Sequence, residues 1–281
     1  MCIRDRETIE LGDFARTRDL SPLAAAIRRM CAAANGAPVL GVCIGFPANL
    51  DPDAAAIVSY AAMDIQQPTS FAQVFPAFWR EVELPVYLEN DANLACEGEA
   101  FLRRGAGGAA NMLYLSIGSG CGGAVRLDGK LRRGARCRAG EVGAMLLQPA
   151  LGAPGRSAAR ETLEDAVCLA ALERRFGAAL RDGAQPGEAS AQAMRDYLCG
   201  PLSGAVYSLV MTLDVELCVL AGIVPGALGM QLCTQVSEAL RAALPESTPV
   251  RVEPSVSADA GVIGAAATVF ERSLDALLGS G

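Results

Sequence analysis

Residues 83–144 read ELPVYLENDANLACEGEAFLRRGAGGAANMLYLSIGSGCGGAVRLDGKLRRGARCRAGEVGA, and the rest of the chain is organised around their three parts. Residues 85–88 form a short apolar run expected to be a strand, and Glu89-Asn90-Asp91-Ala92-Asn93 after it opens a helix. Residues 111–117 are a second apolar strand running into Gly118-Ser119-Gly120-Cys121-Gly122-Gly123. Ala139-Gly140-Glu141-Val142-Gly143 then sets a carboxylate between glycines. Phosphoryl transfer to a hydroxyl needs a base and room for phosphates. The polar pair at the strand end offers the first and the glycine turn the second.

Upstream, residues 39–44 are a continuous apolar run of the kind found in buried parallel strands. The run empties into Gly45-Phe46-Pro47-Ala48, a turn at the C-terminal end of a strand, where open α/β sheets place ligands. Residues 7–14 read as a strand. Ser21 reads as the N-cap of a helix through residue 34, with Leu23, Ala26, Ile27 and Met30 on one face. Residues 69–81 suggest a helix interrupted near Pro76, and Asp91 or Asn93 is the expected cap of a helix running to Arg103. The small residues 105–110 are the candidate domain boundary.

Downstream, residues 122–127 continue the glycine turn as a strand, and Asp128-Gly129 signals a hairpin. A Pro/Gly loop over 148–157 precedes helices over about 160–176 and 190–213, the second expected to break at Gly200-Pro201. Residues 215–224 read as a buried strand, 226–243 as a helix, 250–254 as a last strand and 258–278 as a last helix. Strands alternating with helices give an α/β fold.

The chain has 281 residues, ample for a substantial core, with 52% hydrophobic and 20% charged residues, the composition of a globular protein. A net charge of -7 argues against a broad nucleic-acid footprint, and Arg103-Arg104 and Arg132-Arg133 read as solvated faces. The 10 cysteines are scattered singly, with no metal-like spacing, and read as small reduced core residues. Histidine is absent, so acid–base chemistry falls to carboxylates, Lys, Tyr or Cys. The most apolar region, 207–228, is interrupted by Asp214 and Glu216 and is no membrane span.

Asn90-Asp91-Ala92-Asn93, the 118–123 turn, Asp128-Gly129-Lys130-Leu131 and Gly140-Glu141-Val142-Gly143 stand in an order and spacing that resembles the ROK family, from about Pro38 to Phe270. That family comprises sugar kinases, such as bacterial glucokinases, fructokinases, N-acetylmannosamine kinases and allose kinases, with related sugar-responsive repressors. The resemblance implies an α/β actin-like ATPase fold of two lobes. The N-terminal lobe would take residues 1–108, with a C-terminal helix over 268–281 packing back on it, and a nucleotide- and sugar-binding lobe would take 109–267. It also implies ATP and Mg2+ as cofactors, a monosaccharide partner, a cytoplasmic setting, and neither nucleic acid nor membrane as partner. Homodimers are common in the family.

In the family, the aspartate matched by Asp91 takes the proton of the attacking sugar hydroxyl, and the asparagine matched by Asn90 holds the sugar. The competing reading of Asp91 is a plain helix cap. Gly118, Ser119, Gly120, Gly122 and Gly123 resemble the second phosphate loop of the sugar-kinase and actin-like superfamily, where backbone N–H groups approach phosphate without Cβ interference; the alternative is an ordinary hairpin turn. Glu141 resembles the glutamate that grips sugar hydroxyls. Glu164 resembles a second such residue, or a solvated helix residue. Pro47-Ala48 resembles a Pro-Gly sugar loop with alanine in second place. Gly222 is the single match to a glycine-rich adenosine-binding segment. Asp259-Ala260-Gly261 and Gly264-Ala265-Ala266 match the closing segment, for packing.

The chain departs from the family pattern in two places. Ala144 replaces the zinc histidine, and Gly155, Ser157 and Thr162 stand where three cysteines belong, so no zinc is expected. The Asp-x-Gly-x-Thr strand with which the family opens does not occur in residues 1–34. Met1-Cys2-Ile3-Arg4-Asp5, extended at most to Arg6, resemble the translation of a sequencing adaptor, so the first lobe is expected to lack its opening strands and the chain to be inactive as it stands. The rival readings are the sugar-sensing part of a ROK-type repressor and a degenerate sugar-binding protein.

Overall fold

The computed structural model describes residues 6–105, 108–147, 161–177, 180 and 185–278. The suspected adaptor residues Met1–Asp5 and the 148–157 loop lie outside them. The chain divides into two compact units, the first drawn from Met1–Phe101, Ala135–Cys137 and Gly261–Gly281, the second from Leu102–Gly134 and Arg138–Ala260.

In the first unit the order is α1 (Phe14–Thr17), α2 (Ser21–Ala33), β1 (Val42–Phe46), β2 (Asn49–Asp51), β3 (Ala56–Ser59), β4 (Thr69–Ser70), α3 (Phe71–Val74), α4 (Pro76–Glu81), β5 (Val86–Asn90) and α5 (Asp91–Leu102). β1 and β5 pair in parallel from Val42↔Val86 to Phe46↔Asn90, so the Phe46-Pro47-Ala48 turn and Asn90 leave the sheet at the same end. β2, β3 and β4 form an antiparallel sheet. Phe46 anchors the core, edge-on to Phe14, Tyr60, Phe71 and Phe75 with ring centroids 5.4–5.9 Å away. The C-terminal helix, Ala260–Leu278, crosses α5 in backbone contact, since a Cβ on Gly264 would stand 1.9 Å from the Leu94 carbonyl oxygen.

The second unit contains β6 (Met112–Ile117), β7 (Cys121–Leu127), β8 (Lys130–Arg132), α6 (Leu163–Val167), α7 (Leu169–Phe176), α8 (Glu188–Leu213), β9 (Leu217–Ala221), α9 (Ile223–Leu228), α10 (Met230–Ala243) and β10 (Arg251–Pro254). Its sheet runs β10-β9-β6-β7-β8, parallel through the first three strands and antiparallel at β7 and β8. β9 is buried at every position, as a central parallel strand must be. Both units confirm the α/β class.

Several local expectations change. Residues 7–12 form no strand, and Asp13 instead caps α1 by accepting the Arg16 N–H at 3.2 Å. Ser21 is the first residue of α2, not its cap, and its N–H donates to Asp19 Oδ1 at 2.8 Å. Of the expected face only Met30 fails, being 41% exposed: Ala26 is buried, and Leu23 and Ile27 pack half-buried against the core beside Leu20 and Ala24. β1 starts at Val42, leaving Val39 and Leu40 exposed. Helix α8 does not break at Gly200-Pro201, because Leu198, Leu202 and Val206 are fully buried on either side of the proline and hold the axis continuous. The expected 226–243 helix is two, separated at Gly229 with φ of 70°.

Candidate functional site

In the first unit the site is built where β5 ends. The strand continues to Asn90, and helix α5 begins at once with Asp91. Asn90 does the capping: its Oδ1 accepts the Asn93 N–H at 3.1 Å. Its Nδ2 donates to the Ala48 carbonyl at 3.2 Å, tying the Pro47-Ala48 turn to the helix start. Glu89, 3% exposed, supports both ends of this arrangement by accepting the Asn90 N–H at 3.0 Å and the Asn93 side-chain amide at 2.8 Å. Capping was expected of Asp91 or Asn93; it falls to Asn90 because only that side chain precedes the first helical turn.

Asp91 is thereby released. It is exposed, its Oδ1 accepts the Ala92 N–H at 2.9 Å, and its Oδ2 accepts from no described residue. Gly45 lies beneath it, where a Cβ would stand 3.6 Å from the Asp91 Cα and 3.1 Å from Leu94 Cδ1. Tyr60, half-buried against Phe46, has its hydroxyl pKa raised, first by burial and second by the charge of Asp91.

The second unit holds the glycine turn. The Gly118 N–H donates to the Gly120 carbonyl at 2.9 Å, and the Gly118 carbonyl accepts the Leu169 N–H at 2.8 Å. Glu164 Oε2 accepts the Cys121 N–H at 2.8 Å. The N–H groups of Ser119 and Gly120 donate to no described residue, and a Cβ on Gly118 would meet nothing within 4 Å. Two successive unengaged N–H groups on an open turn suit an anion. Gly122 is exposed on β7 opposite Ser116.

The remaining glycines answer to packing. A Cβ on Gly143 would stand 2.1 Å from the Cys121 carbonyl oxygen, and one on Gly123 would stand 2.6 Å from Val142 Cγ2. These contacts lay residues 140–143 flat on β7 and leave the Glu141 side chain exposed. Gly222, with φ of 93°, would carry its Cβ to 2.4 Å from the Ile117 carbonyl oxygen, so only glycine allows α9 to start against the end of β6.

Thr162, at a position of the expected zinc cysteines, caps α6 in a reciprocal box with Asp165, and Leu163 N–H bonds the Met145 carbonyl at 2.8 Å. Gly155 and Ser157 lie outside the described residues. Among the described residues no group of three or more His, Cys, Asp or Glu is placed to hold a metal ion. The Cys121 thiol is pushed up to about 12 by burial, then by the charge of Glu164 and by Cys168, so it packs as a neutral group.

The structure therefore brings Asn90, Asp91 and Ala48 together in one unit, with Pro47 exposed beside them, and Gly118–Gly123 and Glu164 together in the other. Sequence reading missed Glu89, Tyr60 and Leu169. A carboxylate inside an apolar parallel strand was the available signal for Glu89. Tyr60 and Leu169 carried none, since they arrive from elsewhere in the chain.

The model of the ROK family matches residues 6–272. A glucokinase of Halalkalibacterium halodurans is 34% identical over 141 residues, 48% of this chain and 40% of that protein. A xylose repressor of Caldicellulosiruptor bescii is 33% identical over 105 residues, 37% of this chain and 25% of that protein. The chain thus spans less than half the length of each of these curated relatives. The crystal structure of the ROK hexokinase from Thermus thermophilus superposes with a TM-score of 0.70 at 28% identity, covering 92% of this chain and 88% of that one.

Proposed function

Because the chain belongs to the ROK family, matched over residues 6–272, we propose that its site residues serve ATP-dependent phosphorylation of a monosaccharide hydroxyl. Asp91 takes the proton of the attacking hydroxyl as general base. Asn90 and the Pro47-Ala48 turn, with Glu141 and Glu164, hold the sugar. The turn Gly118, Ser119, Gly120, Gly122 and Gly123 cradles phosphates, with Gly222 shaping the neighbouring helix start. The observation that carries this reading is the unengaged Asp91 Oδ2, which exists because Asn90 caps α5. A base must be able to receive a proton at an atom that reaches substrate.

The described residues offer no metal cage of their own. Magnesium is assigned to arrive with ATP, where it neutralises phosphate charge, and no step here depends on a protein ligand to it. The proposed setting is cytoplasmic, and no described helix is long and apolar enough to cross a membrane.

The test is transfer of label from γ-labelled ATP to a panel of hexoses and N-acetylhexosamines, using the chain preceded by an Asp-x-Gly-x-Thr strand ahead of Glu7. Transfer to one class of sugar supports the reading, and no transfer to any sugar removes it. The similarity to a xylose repressor favours a second reading, a sugar-sensing domain. That domain would bind sugar in calorimetry without binding ATP.

A further inference from the structure

Glu164 stands on α6 with its carboxylate against the glycine turn. Its Oε2 accepts the Cys121 N–H at 2.8 Å and lies 2.9 Å from where a Cβ on Gly120 would stand, so the carboxylate fills the space that a side chain on Gly120 would need. Helix α7 makes the matching contact at the other shoulder, Leu169 N–H to the Gly118 carbonyl at 2.8 Å. The two N–H groups left without a described acceptor, those of Ser119 and Gly120, lie between these two grips.

Helix α6 is itself rigidly held. Leu163 and Val167 are fully buried, and the Thr162–Asp165 box fixes its first turn. A hydrogen bond from a backbone N–H to a carboxylate is about twice as strong as one to a neutral acceptor, so the grip on Cys121 is a firm one. The arrangement has an electrostatic cost, because a carboxylate beside a phosphate turn repels the ligand.

We propose that Glu164 is a positioning residue for the phosphate turn, holding Cys121 so that Ser119 and Gly120 present their N–H groups to ATP. This rests on the nucleotide-binding reading above and adds to it. One oxygen of Glu164 holds the turn, and the other accepts from no described residue.

The experiment compares the whole chain with its Glu164→Gln and Glu164→Ala variants by amide hydrogen exchange over residues 118–121 and by titration with Mg·ATP. Glu164→Ala is expected to speed exchange at Cys121 at least tenfold and to weaken ATP binding about tenfold. Glu164→Gln, which keeps an oxygen acceptor and removes the charge, is expected to restore both. Unchanged exchange in Glu164→Ala overturns the positioning role, and so does faster exchange with unchanged ATP affinity. A wild-type chain that binds no Mg·ATP overturns the phosphate role together with the nucleotide reading, while the exchange comparison still decides whether Glu164 orders the turn.

Discussion

Asp91 is reactive in this account because of its neighbour. Asn90 caps α5 and also donates to Ala48, so Asn90→Asp keeps the cap acceptor and loses the donor. That variant is expected to unfold within about 1 kcal/mol of wild type in urea, while sugar affinity measured by calorimetry falls. Equal sugar affinity would detach the Ala48 contact from binding. Gly143 makes a sharper demand, since a Cβ there would stand 2.1 Å from a backbone carbonyl oxygen. Gly143→Ala is expected to cost roughly 1–3 kcal/mol in urea unfolding, the price of overpacking, and an unchanged midpoint would contradict the contact. The motifs Asn90-Asp91 and Gly140-Glu141-Val142-Gly143 were legible in the sequence. The division of labour within them was not, because Asn and Asp are equally good caps and because a glycine for phosphate and a glycine for packing look alike.

At the scale of elements, α6 tests whether the segment lacking the zinc ligands is held by its cap. Thr162 donates its N–H and hydroxyl to Asp165, and these bonds, the backbone one first, lower the Asp165 pKa below its ordinary 3.8. A carboxyl with a depressed folded-state pKa stabilises the fold above its ordinary value and loses that contribution as pH falls through the lowered one. Thr162→Ala is therefore expected to cost about 1 kcal/mol near neutrality. The gap to wild type in thermal unfolding should narrow below pH 3.8. A gap that widens in acid would show that the box is not the source. Gly264→Val tests the crossing of the C-terminal helix with α5, where the first heavy atom added would overlap the Leu94 carbonyl. The expected result is loss of the folded first unit in circular dichroism and urea unfolding. The parallel strands were located from apolar runs, whereas the helices expected over 160–176 and 226–243 are each divided, at Cys168 and at Gly229. The 7–14 strand and the break at Pro201 were misread, because a capping aspartate decides the first locally and burial overrides proline in the second.

Across the whole molecule, the absence of histidine leaves acid–base chemistry to carboxylates, Lys, Tyr or Cys, and two half-buried or buried thiols are poor candidates among these. Cys43 and Cys121 are both pushed up to about 12, chiefly by burial, so neither supplies a thiolate at neutral pH. The α/β class and the family were readable from four short motifs in register, while the pairing of Glu164 with Cys121 joins residues 43 positions apart and became visible only in the fold. The most direct measurement of the central claim is sugar phosphorylation by Asp91→Asn, beside wild type, in the chain carrying an Asp-x-Gly-x-Thr strand ahead of Glu7. The account predicts a loss of turnover of roughly 10²–10⁴-fold with sugar binding retained; turnover equal to wild type would contradict it, because the unengaged oxygen would then take no proton.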